Sequence, residues 1–203
     1  MARDSEELVR DSVERRSTGI SGLDYQLGGG VPAGTSIVVY GNPLAGSDRL
    51  AKQFWHADGI AATYLMLDSK MDEGMVDAKE TNLHDLVSLM DSNRIVIDSL
   101  STLIVREGID LAIEFMTSGI EAVLEKGGNI LFILYEGMHT PIEQIRVERV
   151  ADVFISMHEE YHQNEIERKL IVHKIPYMDV PSRIYPFIIR DNGIELSTTA
   201  RVV

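Results

Sequence analysis

The chain has no cysteine among its 203 residues, which excludes disulfides, thiol nucleophiles and cysteine-bound zinc. It also lacks any apolar run near the roughly 18–20 residues that a membrane-spanning helix needs, so no membrane partner is expected. The opening M-A-R-D-S-E-E-L-V-R-D-S-V-E-R-R is charged throughout and has no apolar middle of a secretory signal, which points to a cytoplasmic protein. Basic residues are scarce: 19 Lys and Arg stand against 32 Asp and Glu, for a net charge of -13. Nucleic-acid binding draws most of its affinity from cationic contacts to phosphates, so this balance weighs against it. What remains is an ordinary globular composition, 44% hydrophobic and 25% charged, enough for one sizeable core.

What is present is organised around residues 36–52, S-I-V-V-Y-G-N-P-L-A-G-S-D-R-L-A-K. Ile37, Val38, Val39 and Tyr40 read as a buried strand, and Gly41 to Gly46 as a glycine-bracketed turn. A helix follows, with Leu50, Ala51, Phe54 and Trp55 on one side. Strand, glycine-rich loop and helix is the layout of a phosphate-binding loop, G-x-x-x-x-G-K-[ST], with Gly41, Asn42, Pro43 and Gly46 forming the cradle. The two glycines have the correct separation, but Ser47 stands in place of the lysine and Asp48 in place of the Ser/Thr.

That exchange matters energetically. At about 6 Å and an effective dielectric near 20, one unit charge is worth roughly 3 kcal/mol per unit of phosphate charge. Two roles are open to Asp48. It can ligate Mg²⁺ directly. Alternatively, Ser47 and Asp48 can supply acceptors to the free N–H groups at the helix start, so that the chain fills its own phosphate pocket. Asp48 and Lys52, four apart, are expected to pair along the helix.

Elsewhere the order is regular. Residues 1–16 read as a solvated arm or short helix, with Leu8 and Val13 too few for an apolar stripe, and 17–203 as a single domain. Ser21 and Asp24 resemble a capping box ahead of a short helix that buries Leu23 and Leu27 and ends at Gly28 to Gly30. Residues 62–67 read as a second strand ending at Asp68, 81–90 as a helix, and 94–98 as a third strand stopping on Asp98. Residues 108–126 form the most strongly patterned helix, and 129–135 a fourth strand. Nearly continuous apolar strands alternating with helices point to an α/β fold with a mostly parallel sheet covered on both faces. Residues 169–175 and 183–190 read as an antiparallel extension closed by the turn Asp191-Asn192-Gly193.

Four segments then carry a specific resemblance: Ser17 to Gly34, the loop at Gly41, Arg94 to Ser101 (R-I-V-I-D-S-L-S) and Glu148 to Ile155 (E-R-V-A-D-V-F-I). Together with the closing P-F-I-I-R-D-N-G-I-E, they resemble the RecA-type P-loop ATPases, nearest the KaiC-like branch and next the RadA/RadB recombinase branch. The resemblance implies that Asp98 holds Mg²⁺ through water and that Asp68 is the first carboxylate of a water-polarising pair. The second of that pair is here Ser69. It also makes Lys174 the lysine of a K-x-R segment reaching a neighbouring subunit's phosphates, with Pro176 in place of the arginine.

The loop lysine, the second carboxylate and the trans arginine serve one transition state, so their joint replacement implies loss of hydrolysis. The expectation is a non-hydrolysing or weakly nucleotide-binding regulatory or assembly protein, working with protein partners or as a homo-oligomer, with ATP and Mg²⁺ bound weakly or not at all. The alternatives are an active Mg²⁺-dependent ATPase with a non-standard loop and a RadB-like recombination accessory. A further alternative from another class is a zinc hydrolase, because His158-Glu159-Glu160-Tyr161-His162 fits H-E-x-x-H. The family resemblance covers that segment as strand and turn, and no zinc is expected.

Overall fold

The structure is a computed structural model that describes residues 13–162 and 165–197. Leu8 and most of the expected N-terminal arm lie outside these residues. Arg15–Arg16 (β1) is a short strand paired antiparallel with Val31–Pro32 (β2), not part of an arm. Between them, α1 (Ser21–Gln26) buries Leu23, and Leu27 just beyond it is buried as well. The expected capping box does not form. Asp24 instead accepts hydrogen bonds from the Thr18 N–H and hydroxyl, both at 2.7 Å, and from the Ser17 hydroxyl.

A nine-stranded sheet forms the body. Its strands are β3 (Ser36–Gly41), β4 (Thr63–Met66), β5 (Val76–Asp77), β6 (Arg94–Asp98), β7 (Asn129–Tyr135), β8 (Val153–His162), β9 (Glu165–Lys174), β10 (Ile184–Arg190) and β11 (Gly193–Leu196). Their spatial order is β11-β10-β9-β8-β3-β7-β6-β4-β5. From β8 to β5 every pairing is parallel, while β9, β10 and β11 add an antiparallel extension. The fold class is therefore as expected.

Both faces of the parallel part are covered, which explains why its strands are apolar at successive positions. Ile37 and Val39 face one core and Val38 the other, and on β7 Leu131 and Ile133 are likewise opposed to Ile130, Phe132 and Leu134. The first core is closed by α2 (Ser47–His56), whose Leu50, Ala51, Phe54 and Trp55 are buried in it. Trp55 donates its indole N–H to the Ala62 carbonyl at 3.2 Å and packs edge-on to Tyr64, which makes it a core residue. Gln53 joins distant segments to α2. Its amide N–H donates to the Gly19 and Ile194 carbonyls, and its oxygen accepts from the Ile194 N–H at 2.6 Å.

The second core lies under α3 (Leu83–Ser88), α4 (Leu100–Glu107), α5 (Ile109–Glu114), α6 (Glu121–Glu125) and α7 (Pro141–Val150). The strongly patterned stretch 108–126 is not one helix. A π-helical turn at Phe115–Gly119 separates α5 from α6 and rotates the buried face. Ala112, Phe115, Met116 and Ile120 are inside, and Leu111 is exposed. In α3 Leu86 is buried, whereas Val87 faces solvent.

Candidate phosphate-loop site

Because β3, β4, β6 and β7 run parallel, their C-terminal ends meet along one edge of the sheet, where open α/β folds bind ligands. The loop after β3 is a 3₁₀ turn, Pro43–Ala45, bounded by Asn42 and Gly46. Asn42 Oδ1 accepts from the Leu44 N–H at 2.8 Å, so one loop donor is already satisfied from within the loop. Gly46 is left-handed at φ 96°, and a Cβ there would lie 2.8 Å from Ile189 Cδ1. A Cβ on Gly41 would lie 2.4 Å from the Met157 carbonyl oxygen. The close approach of the Met157 backbone demands glycine at 41, and the left-handed backbone demands it at 46.

The altered positions do not behave as capping residues. Gly46 is the N-cap of α2 and no side chain caps the helix start. Ser47 is fully buried, and its hydroxyl has no hydrogen-bond partner among the described residues. Asp48 is half-exposed, with Arg49 as its nearest cation at 3.9 Å. Lys52 pairs with Asp72 at 2.8 Å, not with Asp48. Neither Ser47 nor Asp48 supplies the expected acceptor at the start of α2, and Asn42 caps only the preceding 3₁₀ turn.

Asp98 ends β6 with 4% of its surface exposed. It shares strand parity with Val96, so it projects toward the face that α2 covers. Tyr64 donates to its Oδ2 at 2.7 Å and Tyr135 to its Oδ1 at 3.3 Å. Burial pushes the Asp98 carboxyl above the ordinary carboxylate range. The tyrosine hydrogen bonds oppose that shift, while the charges of Asp68 and Asp48 reinforce it. Burial and then the charge of Asp98 push Tyr64 and Tyr135 upward, so both remain protonated donors.

Asp68 is exposed and accepts from Ser99 Oγ at 3.2 Å and from Thr102 Oγ1, which ties it to the first turn of α4. Ser101 Oγ accepts the Tyr135 N–H at 2.8 Å and contacts His139 Nε2 at 2.8 Å. Burial lowers the His139 pKa, against the pull of Glu143. The structure thus gathers Asp48, Asp68 and Asp98 around one strand edge, and it adds Tyr64, Tyr135, Ser101 and His139, which the sequence reading missed. The tyrosines were hidden because they complete apolar runs and look like core. Their one signal is that each stands in a strand adjoining the strand or loop of a carboxylate.

Lys174 does not extend away from its own subunit. Its Nζ donates to the Arg149 carbonyl at 3.0 Å and to the Ala151 carbonyl, closing the C-terminal end of α7. The H-E-x-x-H segment lies in β8. Four residues along a strand span about 13 Å, so His158 and His162 cannot share one zinc ion as they would across a helical turn. His158 bonds Ser156 at 2.9 Å. At the hairpin end the donor atoms of Glu160, His162 and Glu167 lie within 4.8 Å of one another, but Lys169 Nζ already sits 2.6 Å from Glu160.

No helix among the described residues is long and apolar enough to cross a membrane. Comparison with solved structures finds the KaiC-like protein of the hyperthermophilic archaeon Pyrococcus horikoshii OT3 at 21% identity and a TM-score of 0.75. The match covers 91% of this chain and 99% of that one, and it supports the same fold. No curated protein matches the sequence. The family model "ATPase: KaiC" matches residues 60–201, beginning beyond the glycine loop, so the altered loop takes no part in the assignment. With about two thirds of its length inside that match and the RecA-type sheet built as described, the chain belongs to the KaiC ATPase family.

Proposed function

We propose that this chain is a KaiC-family member that binds nucleotide weakly, does not hydrolyse it, and acts through protein partners or self-assembly as a regulatory or assembly component. The observation that carries the reading is the charge at the strand edge. Asp48, Asp68 and Asp98 surround the place where phosphates would lie, and the position after Gly46 holds the buried neutral Ser47. Phosphoryl transfer is catalysed by positioning and by neutralising developing charge, and this arrangement supplies the wrong sign.

Magnesium nucleotide fits the donor set poorly. Both oxygens of Asp98 already accept tyrosine hydroxyls, and Asp68 is held on α4 by Ser99 and Thr102. The glycine bracket does not argue the other way, since the Met157 backbone accounts for Gly41 and the left-handed turn conformation for Gly46. Lys174, closing α7, is not free to serve a neighbour's site unless those carbonyl bonds break.

The test is calorimetric titration of metal-stripped protein with ATP and Mg²⁺. The expected outcome is no saturable heat at millimolar ATP. Tight binding that requires Mg²⁺, followed by turnover that disappears in Asp98→Ala, would overturn the reading in favour of an active ATPase.

A further inference from the structure

A second concavity opens on the sheet face opposite α2. It is a cleft of about 470 Å³ between α7 and the strands β3, β8 and β9. One wall is aromatic. The rings of Tyr40 and Phe154 stack with centroids 6.1 Å apart, and His173 packs against Phe154 at 6.0 Å. Behind them, Ser156 Oγ lies between two imidazoles, 2.7 Å from His173 Nε2 and 2.9 Å from His158 Nε2. The hydroxyl has a single proton to give, so with both rings neutral one accepts from it and the other donates to it.

The charge in the cleft is anionic. Glu148 on α7 is half-buried, and among the described residues it takes one hydrogen bond, from Gln144 Nε2 at 2.8 Å, and pairs with no cation. Burial first, and then the charges of Glu136 and Glu148, disfavour ionisation of Tyr40. The cation that lines the cleft, Lys174, has its Nζ turned onto the carbonyls that end α7.

An aromatic wall beside a partly desolvated, unpaired carboxylate attracts positive charge through the ring quadrupole and through direct ion pairing. It repels carboxylates and phosphates. The volume lies in the range of small-molecule sites and is far larger than a bare metal ion needs. We propose that this cleft binds a small organic cation, an alkylammonium or guanidinium group, seated on the Tyr40–Phe154 wall with its charge against Glu148. The group comes either from a free amine or from a lysine or arginine side chain of a second copy of this chain. The inference uses no residue of the phosphate loop, so it stands or falls separately from the reading of that loop.

The experiment is an NMR titration of the full chain with agmatine, putrescine and tetramethylammonium, following the Tyr40, His158 and His173 ring signals. Sodium acetate at matched ionic strength is the control. Saturable shifts are expected with the cations and none with acetate. Glu148→Gln, which keeps the shape and the Gln144 contact, is expected to weaken binding about tenfold or more, and Tyr40→Leu about threefold to tenfold. A sedimentation arm separates the two sources. Agmatine that shifts the chain toward monomer as it binds identifies a side chain of a second copy, and binding with unchanged sedimentation identifies a free amine. Absence of saturable shifts, equal affinity in Glu148→Gln, or comparable binding of acetate would each overturn the proposal.

Discussion

Strand β6 carries an arginine at one end and an aspartate at the other, both nearly inaccessible to water, and their surroundings differ in kind. Arg94 is fully buried, and both of its terminal nitrogens are engaged while its Nε has no partner among the described residues. Its Nη1 donates to the Ser17 and Phe54 carbonyls at 2.8 and 2.9 Å, and its Nη2 pairs with Asp58 at 2.7 Å. The guanidinium lies 4.4 Å above the Phe54 ring. Asp98, 4% exposed, meets only neutral hydroxyls and stands within range of two further carboxylates. A buried charge without a counter-charge is costly. Asp98 stands at the edge where open α/β folds generally bind ligands, and the compensated arginine stands at the opposite edge.

The sharpest way to break this contrast is to remove the compensated charge. Arg94→Met strands a buried carbonyl, a part-buried one and Asp58, and is expected to cost about 3–5 kcal/mol in urea unfolding. A loss below about 1 kcal/mol would mean that the arginine end is no better compensated than the aspartate end. Next in size is restoring a cation at the uncompensated edge. Ser47→Lys combined with Asp48→Thr is expected to raise ATP affinity about a hundredfold, the equivalent of roughly 3 kcal/mol of recovered attraction. Calorimetry that finds no gain would place the obstacle in the shape of the loop, not in its charge.

Smaller, but opposite in sign to Arg94→Met, is Asp98→Asn. The folded carboxyl binds its proton more tightly than the ordinary value of 3.8, chiefly because of burial. Stability from this group is therefore full below that value and is lost as pH rises through the raised folded value. The Asn variant should be more stable than the parent at neutral pH, with the difference vanishing as urea midpoints are measured down toward pH 4. The smallest expected effect is that of Lys174→Met, about 0.3–1 kcal/mol from the opened end of α7. It should leave nucleotide heats unchanged, whereas altered nucleotide binding would return Lys174 to a trans role.

The parallel sheet was legible because strands buried on both faces are apolar at every position, as Ile37 to Val39 and Ile130 to Leu134 are. The divided helix at 108–126 was not legible. A π turn changes the period by one residue, so a single 3.6 window over the whole stretch merges two differently turned faces and assigns Leu111, which is exposed, to the inside. The turn between Gly41 and Gly46 and the strand ending on Asp98 form where the sequence predicts them. The partners of Asp98 were not legible, since Tyr64 and Tyr135 are separated from it by 34 and 37 residues. Local rules also named the wrong partner for Lys52, because Asp72 lies beyond the reach of helix spacing. The H-E-x-x-H reading failed for a related reason: positions i and i+4 share a face in helix and strand alike, and only the rise per residue separates the two.

The three hydrogen bonds of Gln53 carry a consequence for the order in which the molecule is made. They tie the helix behind the glycine loop to Gly19, 34 residues before it, and to Ile194, 141 residues after it. Contacts that close so long a segment form late, because the entropy of closure must be met before they contribute. During synthesis the loop and α2 leave the ribosome early yet wait for β11 to complete their support. The part of the chain that most resembles a nucleotide cradle is thus expected to be among the last to become rigid, with amide exchange in α2 slowing only once β11 has been made.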